Sequence, residues 1–166
     1  HSMLVDLERN DLNRICQAGT VKIDSFCDVV NYKTIMHMES LVSGVLRDTV
    51  SFFDILKAVF PGGTITGVPK IRTMEIIAEL EKYCRGFYTG SLGYIGYNKN
   101  MDLNIIIRSI VCKNSKVYIH VGGGVTHKSI PEKEYQETLS KAYPQMLTIE
   151  TLLQGCGNLW DDIIDR

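Results

Sequence analysis

Apolar and polar positions along the chain change period several times, and each change marks an element. Residues 4–16, LVDLERNDLNRIC, mix helix formers with spaced Leu and Ile and predict an opening helix. The stretch TVKIDSFCDVVNYKTIMHMESLVSGVLRD is rich in Val, Ile, Thr and Tyr, which predicts extended structure ending near Gly44 to Asp48. In SFFDILKAVF, Phe52, Ile55, Leu56 and Val59 fall on one helical stripe, Ser51 stands as its N-cap, and Pro61-Gly62-Gly63 stops it. A second helix opens at Pro69, with Ile71, Met74, Ile77 and Leu80 as its apolar face.

From Arg85 the period falls to two. GFYTGSLGYIGY, MDLNIIIRSIV and KVYIHVG predict three strands joined by the polar turns NKN and CKNS, an antiparallel meander. SIPEKEYQETLSKAY predicts a last helix, with Ser129 and Glu132 at capping-box spacing and Pro131 in the first turn. Pro144 is expected to end or kink it. Helices and antiparallel strands come in blocks, which predicts an α+β fold of antiparallel strands packed with helices.

Composition narrows the function. The chain has 166 residues, 45% hydrophobic and 22% charged, with a net charge of −1, values suited to one globular catalytic or binding domain. No basic stripe is present, which argues against nucleic acid, and no apolar run is long enough to span a bilayer. Five scattered cysteines without a C-x-x-C pair read as reduced thiols of a cytoplasmic protein. His1-Ser2 ahead of Met3 reads as a cleaved tag. The domain reading is therefore 1–2 tag, 3–150 domain and 151–166 a tail of unassigned role.

PGGTITGVPK nearly spells the phosphate loop G-x-x-x-x-G-K-[ST]. A helix precedes it, however, Val68-Pro69 takes the Lys-Ser/Thr positions, and Lys70 is displaced, so the nucleotide reading is disfavoured. Thr64 and Thr66, with nearby amides, stand ahead of a helix N-terminus, where a carboxylate or an ordinary cap would both fit.

Other residues carry chemistry that the pattern leaves open. Arg108 interrupts an apolar strand, on the parity of Asp102 and Asn104, and there it is either a site residue or half of a structural ion pair. Gly122, Gly123 and Gly124 follow a strand and either admit a ligand to the backbone or make a bend. Glu134, Glu137 and Lys141 share one helical face, either as Mg²⁺ ligands with a cation or as a solvated face with a Glu137–Lys141 pair. His37 in an apolar strand and Tyr88 at a strand start are each core residues or hydrogen-bonding site residues.

Taken in order, MLVDLERNDLNRIC, FPGGTITGVPKIRTMEII, RGFYTGSLGYIGYNKNMDLNIIIRSI, GGGV and EYQETLSKA resemble the C-terminal part of the chorismate-utilising enzymes over residues 3–147. The phrasing is most similar to the aminodeoxychorismate synthase component I branch. The alternatives are the anthranilate synthase component I branch or a short, non-catalytic binding domain.

The resemblance implies the C-terminal portion of the chorismate-binding, anthranilate synthase component I-like fold. It also implies a synthase that makes 4-amino-4-deoxychorismate for folate synthesis from chorismate and ammonia, the ammonia supplied by a glutamine amidotransferase subunit. By motif, Glu137 would bind Mg²⁺ with Glu134 close behind. Lys141 and the amides of Gly122 to Gly124 would hold substrate carboxylates. Arg108 and Tyr88 would clamp the enolpyruvyl carboxylate. Thr64 would bond near the ring carboxylate, and His37 would sit by the departing ring hydroxyl. The family's nucleophilic lysine, general-acid glutamate and second metal-binding glutamate lie upstream of VDLERND. The expectation is thus a fragment, inactive alone, whose open apolar edges favour a homodimer.

Overall fold

The computed structural model describes residues 1–31 and 36–155. The expected strand residues 32–35, the tail from 156 onward and Cys156 lie outside the described residues. The remaining four cysteines are free thiols. The chain divides into two compact units, His1–Lys82 and Tyr83–Arg166. Helices and antiparallel hairpins make it α+β, as the pattern predicts.

The first unit opens with helix α1 (Ser2–Asn13), which includes Ser2 of the supposed tag. The extended stretch folds into an antiparallel hairpin of β1 (Lys22–Asn31) and β2 (Met36–Ser43), with register shifts near Ser25 and Cys27 at φ 58°. Helix α2 (Phe52–Val59) starts at Ser51 as expected. The Ser51 hydroxyl accepts from the Asp54 amide, and the Asp54 carboxylate accepts from the Ser51 amide, closing a capping box.

The core of this unit gathers Ile15, Cys16 and Ala58 with Leu12, Val21, Val50, Ile55 and Val59. The glycine-rich passage forms one short helical turn, α3 (Gly63–Thr66), and α4 (Lys70–Leu80) follows. Gly63 lets that turn approach α1, because a Cβ there would meet the Leu7 Cβ at 3.1 Å. Lys70 settles the phosphate-loop question. Its Nζ donates to Asp11 Oδ2 at 2.7 Å and to the Ala58 carbonyl at 3.5 Å, tying α4 to α1 and α2.

The second unit departs from the expected meander. β3 (Ser91–Ile95) pairs with β4 (Met101–Ile105), and β5 (Ile110–Lys113) pairs with β6 (Lys116–Ile119), in separate two-stranded sheets. The single strand expected over MDLNIIIRSIV is broken. The Ile107 amide donates back to the Ile105 carbonyl, a three-residue turn, and Arg108 follows at φ 51°. Three consecutive isoleucines hide this break, since apolar runs do not report backbone direction. The CKNS turn is as expected, with Asn114 and Ser115 both left-handed, as a tight hairpin requires.

Helix α5 (Pro131–Gly155) bears on two further expectations. Of the two outcomes expected at Pro144, an end or a kink, the helix does not end there. Ring closure removes only one donor, and the Ser140 carbonyl left without it is on an exposed turn that water can reach. Ser129 does not form a capping box with Glu132, because its hydroxyl accepts from the Thr126 amide and Ile130 opens the helix instead. Large apolar side chains stay on the surface of both units, Ile71 at 76% and Leu92 at 70% exposure among them. No helix of the described residues is long and apolar enough to cross a membrane.

Candidate functional site

The second unit brings several of the singled-out residues together. The strand β6 delivers His120, and the chain then runs through Gly122, Gly123 and Gly124 toward α5. A Cβ on Gly122 would stand 2.9 Å from the Tyr88 hydroxyl, closer than such contacts allow without a shift. On its other side, Gly122 offers its carbonyl to Lys141 Nζ at 3.4 Å. A Cβ on Gly123 would lie 3.7 Å from Glu134 Oε2, 3.7 Å from Lys141 Nζ and 3.9 Å from Thr138 Oγ1. Gly124 faces open space. The bare backbone is therefore what lets this loop lie between the Tyr88 hydroxyl and the charged face of α5.

That face is arranged by helical spacing. Glu134 lies three residues before Glu137 and four before Thr138, and Lys141 four after Glu137 and three after Thr138, so the four flank one face. Lys141 Nζ meets Glu137 Oε1 at 2.7 Å, with the lysine side chain 28% exposed and the glutamate 57%. The hydrogen bond from Lys141, and then its charge, hold the Glu137 carboxyl below the usual glutamate range. The Thr138 hydroxyl donates to the Glu134 carbonyl at 2.9 Å and leaves the Glu134 carboxylate to the loop.

Tyr88 is fixed from two sides by residues that the sequence pattern did not single out. His120 stacks on it with ring centroids 5.7 Å apart and planes 18° apart. The Arg85 guanidinium lies 5.8 Å from the Tyr88 ring centroid and donates to Thr89 Oγ1 at 3.3 Å. A signal for His120 existed in its place two residues before the glycine run.

The other expected residues belong to other elements. Arg108 sits in the turn between β4 and β5, exposed, and takes part in no ion pair among the described residues. The burial cost assumed for a strand position does not arise there, which corrects the structural ion-pair reading and leaves the site reading as an expectation. Asp102 and Asn104 do share the exposed face of β4.

In the first unit, His37 is half-buried in β2 opposite Val30. Thr64 is exposed within α3. Thr66, for which a carboxylate site or an ordinary local role were both open, donates its hydroxyl to the Gly62 carbonyl at 3.1 Å. The Ile65 and Thr66 amides both donate to the Gly62 carbonyl.

The cluster of the second unit can hold an anion. Lys141 and the exposed amides of the glycine loop are donors, and the Tyr88 hydroxyl adds one more. Two carboxylates beside them offer hard oxygen ligands. No group of three or more His, Cys, Asp or Glu suited to a metal occurs among the described residues. Glu134 and Glu137 fit a Mg²⁺ ion that takes one or two protein carboxylates and fills its sphere with water and substrate oxygens.

A family model described as chorismate binding enzyme matches residues 1–147. Aminodeoxychorismate synthase component 1 of Bacillus subtilis is 48% identical over 150 residues, which cover 90% of this chain and 32% of that protein. An anthranilate synthase component 1 of Haloarcula marismortui is 52% identical over 141 residues, 85% of this chain and 29% of that protein. The crystal structure of anthranilate synthase component I from Streptococcus pneumoniae superposes with a TM-score of 0.80 at 44% identity, over 86% of this chain and 33% of that one. The chain thus spans about a third of the length of these relatives.

Proposed function

The chain belongs to the family of chorismate binding enzymes, and on that premise we propose that its second unit is the carboxylate-holding part of a chorismate-utilising synthase. One observation carries the reading: the Gly122–Gly124 run lies between the Tyr88 hydroxyl and the Lys141, Glu134 and Glu137 side chains. A small dianion needs such a set of amides and cations. In this reading Lys141 and the loop amides hold one carboxylate. Tyr88 and Arg108 hold the enolpyruvyl carboxylate, with Arg108 reaching it from its turn.

Glu134 and Glu137 would hold Mg²⁺, which when bound neutralises substrate carboxylate charge. The Lys141–Glu137 pair keeps that glutamate ionised and ready as a ligand.

The finer reading is the aminodeoxychorismate synthase component 1 reaction, amination of chorismate with ammonia from a glutamine amidotransferase partner in the cytoplasm. Its support is the 48% identity to the Bacillus subtilis protein and the wording of the glycine and strand motifs. The second reading is anthranilate synthase, favoured by the 52% identity to the Haloarcula protein. The product made by the full-length protein separates the two, since anthranilate is fluorescent and aromatic and 4-amino-4-deoxychorismate is neither.

The test on this chain is calorimetric titration with chorismate, with and without Mg²⁺. Mg²⁺-dependent binding that disappears in both Lys141→Ala and Arg108→Ala is the expected result. Binding indifferent to Mg²⁺ and to both substitutions would refute these roles.

A further inference from the structure

The first unit contains a cavity of about 460 Å³ that shares no residue with the cluster of the second unit. That volume falls in the range of small-molecule sites, roughly 300–1,000 Å³. Arg14, from the end of α1, and Arg47 and Thr49, from the link between β2 and α2, line it together with Asp54 and Lys57 of α2.

The charge balance of this cavity is unusual. Three cationic side chains converge on it, and none of the three is in an ion pair among the described residues. The one carboxylate present, Asp54, directs its Oδ2 to the Ser51 amide at 2.9 Å and the Ser51 hydroxyl at 2.6 Å, completing the α2 cap. Its carboxyl is held below the usual range, first by those Ser51 hydrogen bonds and last by the charge of Lys57. Asp54 is thus engaged in the cap, and it is a single carboxylate against three cations.

Gathering like charges around one concavity raises the energy of the empty protein, and a ligand of opposite charge relieves it. The Arg47 guanidinium is already positioned, because it donates to the Arg14 carbonyl. Two guanidinium groups can each grip an oxyanion through paired N–H donors, and Lys57 adds a point charge. The Thr49 hydroxyl is a further donor at the rim.

We propose that this cavity is a binding site for a small oxyanion carrying at least two negative charges, a phosphate or a polycarboxylate. The test is a titration of the 166-residue chain followed by amide proton–nitrogen correlation spectra, at constant ionic strength. Inorganic phosphate is one arm, citrate the second and sodium chloride the control. Saturable shifts of the Thr49, Val50 and Ala58 amides are expected with phosphate, citrate or both, below roughly 10 mM, a range that detects millimolar affinity. The arm that saturates assigns phosphate or carboxylate chemistry.

The variant Arg14→Gln/Lys57→Gln should weaken this binding by about tenfold or more, the size of a lost charged hydrogen bond. Should the pair fail to fold, Lys57→Gln, an exposed position, should still weaken it measurably. No saturation with either anion, equal shifts with chloride, or affinity unchanged in a folded variant would each overturn the proposal.

Discussion

Replacing Lys70 with methionine tests how the first unit is held together. Methionine keeps most of the apolar stem and removes the ammonium. The carboxylate partner, Asp11, has a side chain only 6% exposed, while Lys70 is 22% exposed. Water can reach the cation but hardly the anion, so the cost falls on a buried carboxylate without its counter-charge. Breaking a buried pair from one side costs about 3–5 kcal/mol, and the partial exposure of Lys70 places this case near 3 kcal/mol.

Two neighbours add to the loss. Lys70 also donates to the Ala58 carbonyl, at 3.5 Å, and its charge tempers the repulsion between Glu8 and Asp11. For a cooperative unit of this size, about 3 kcal/mol corresponds to a fall of roughly 12–24 °C in Tm. The assay is urea and thermal unfolding of the whole chain by far-UV circular dichroism. The companion variant Asp11→Leu/Lys70→Met should recover most of the loss, since an apolar pair of similar volume removes the stranded charge. A cost below about 1 kcal/mol for Lys70→Met, or a double variant no more stable than the single one, would refute the reasoning.

Gly122→Ala should weaken chorismate binding more than it lowers stability. The new methyl meets only the far end of Tyr88, at 2.9 Å, and displaces the hydroxyl that the reading assigns to substrate. Calorimetry beside thermal unfolding checks the split. Glu8 should make stability fall as pH rises above the ordinary glutamate value of 4.5. Burial first, then Asp11, raise its folded-state pKa, so the folded chain holds a proton that the unfolded chain has released. Glu8→Gln should flatten that slope, read by urea unfolding between about pH 4 and pH 7, the interval around an elevated carboxyl pKa.

Much of this was legible in the residues. Ser51 with Asp54, the stripe of Phe52, Ile55 and Val59, and the turn at Asn114-Ser115 are local choices, fixed by hydrogen bonds and dihedrals within a few positions. Helices and hairpins of that kind form without reference to distant chain. The family was legible too, because long motifs keep their order and spacing. The break in NIIIRSIV was not, since three isoleucines satisfy a strand and a turn alike, and only the hydrogen bond from Ile107 to Ile105 decides between them.

Of the site, the sequence determined the residue types and the helical face that unites Glu134, Glu137 and Lys141. It could not say that Lys141 turns to both Glu137 and Gly122, or that His120 and Arg85 enclose Tyr88. It could not say that Lys70 closes on Asp11, 59 positions away, instead of on a phosphate. Those pairings depend on which distant surfaces meet when the apolar faces are buried, a property of the folded chain as a whole that no local pattern contains.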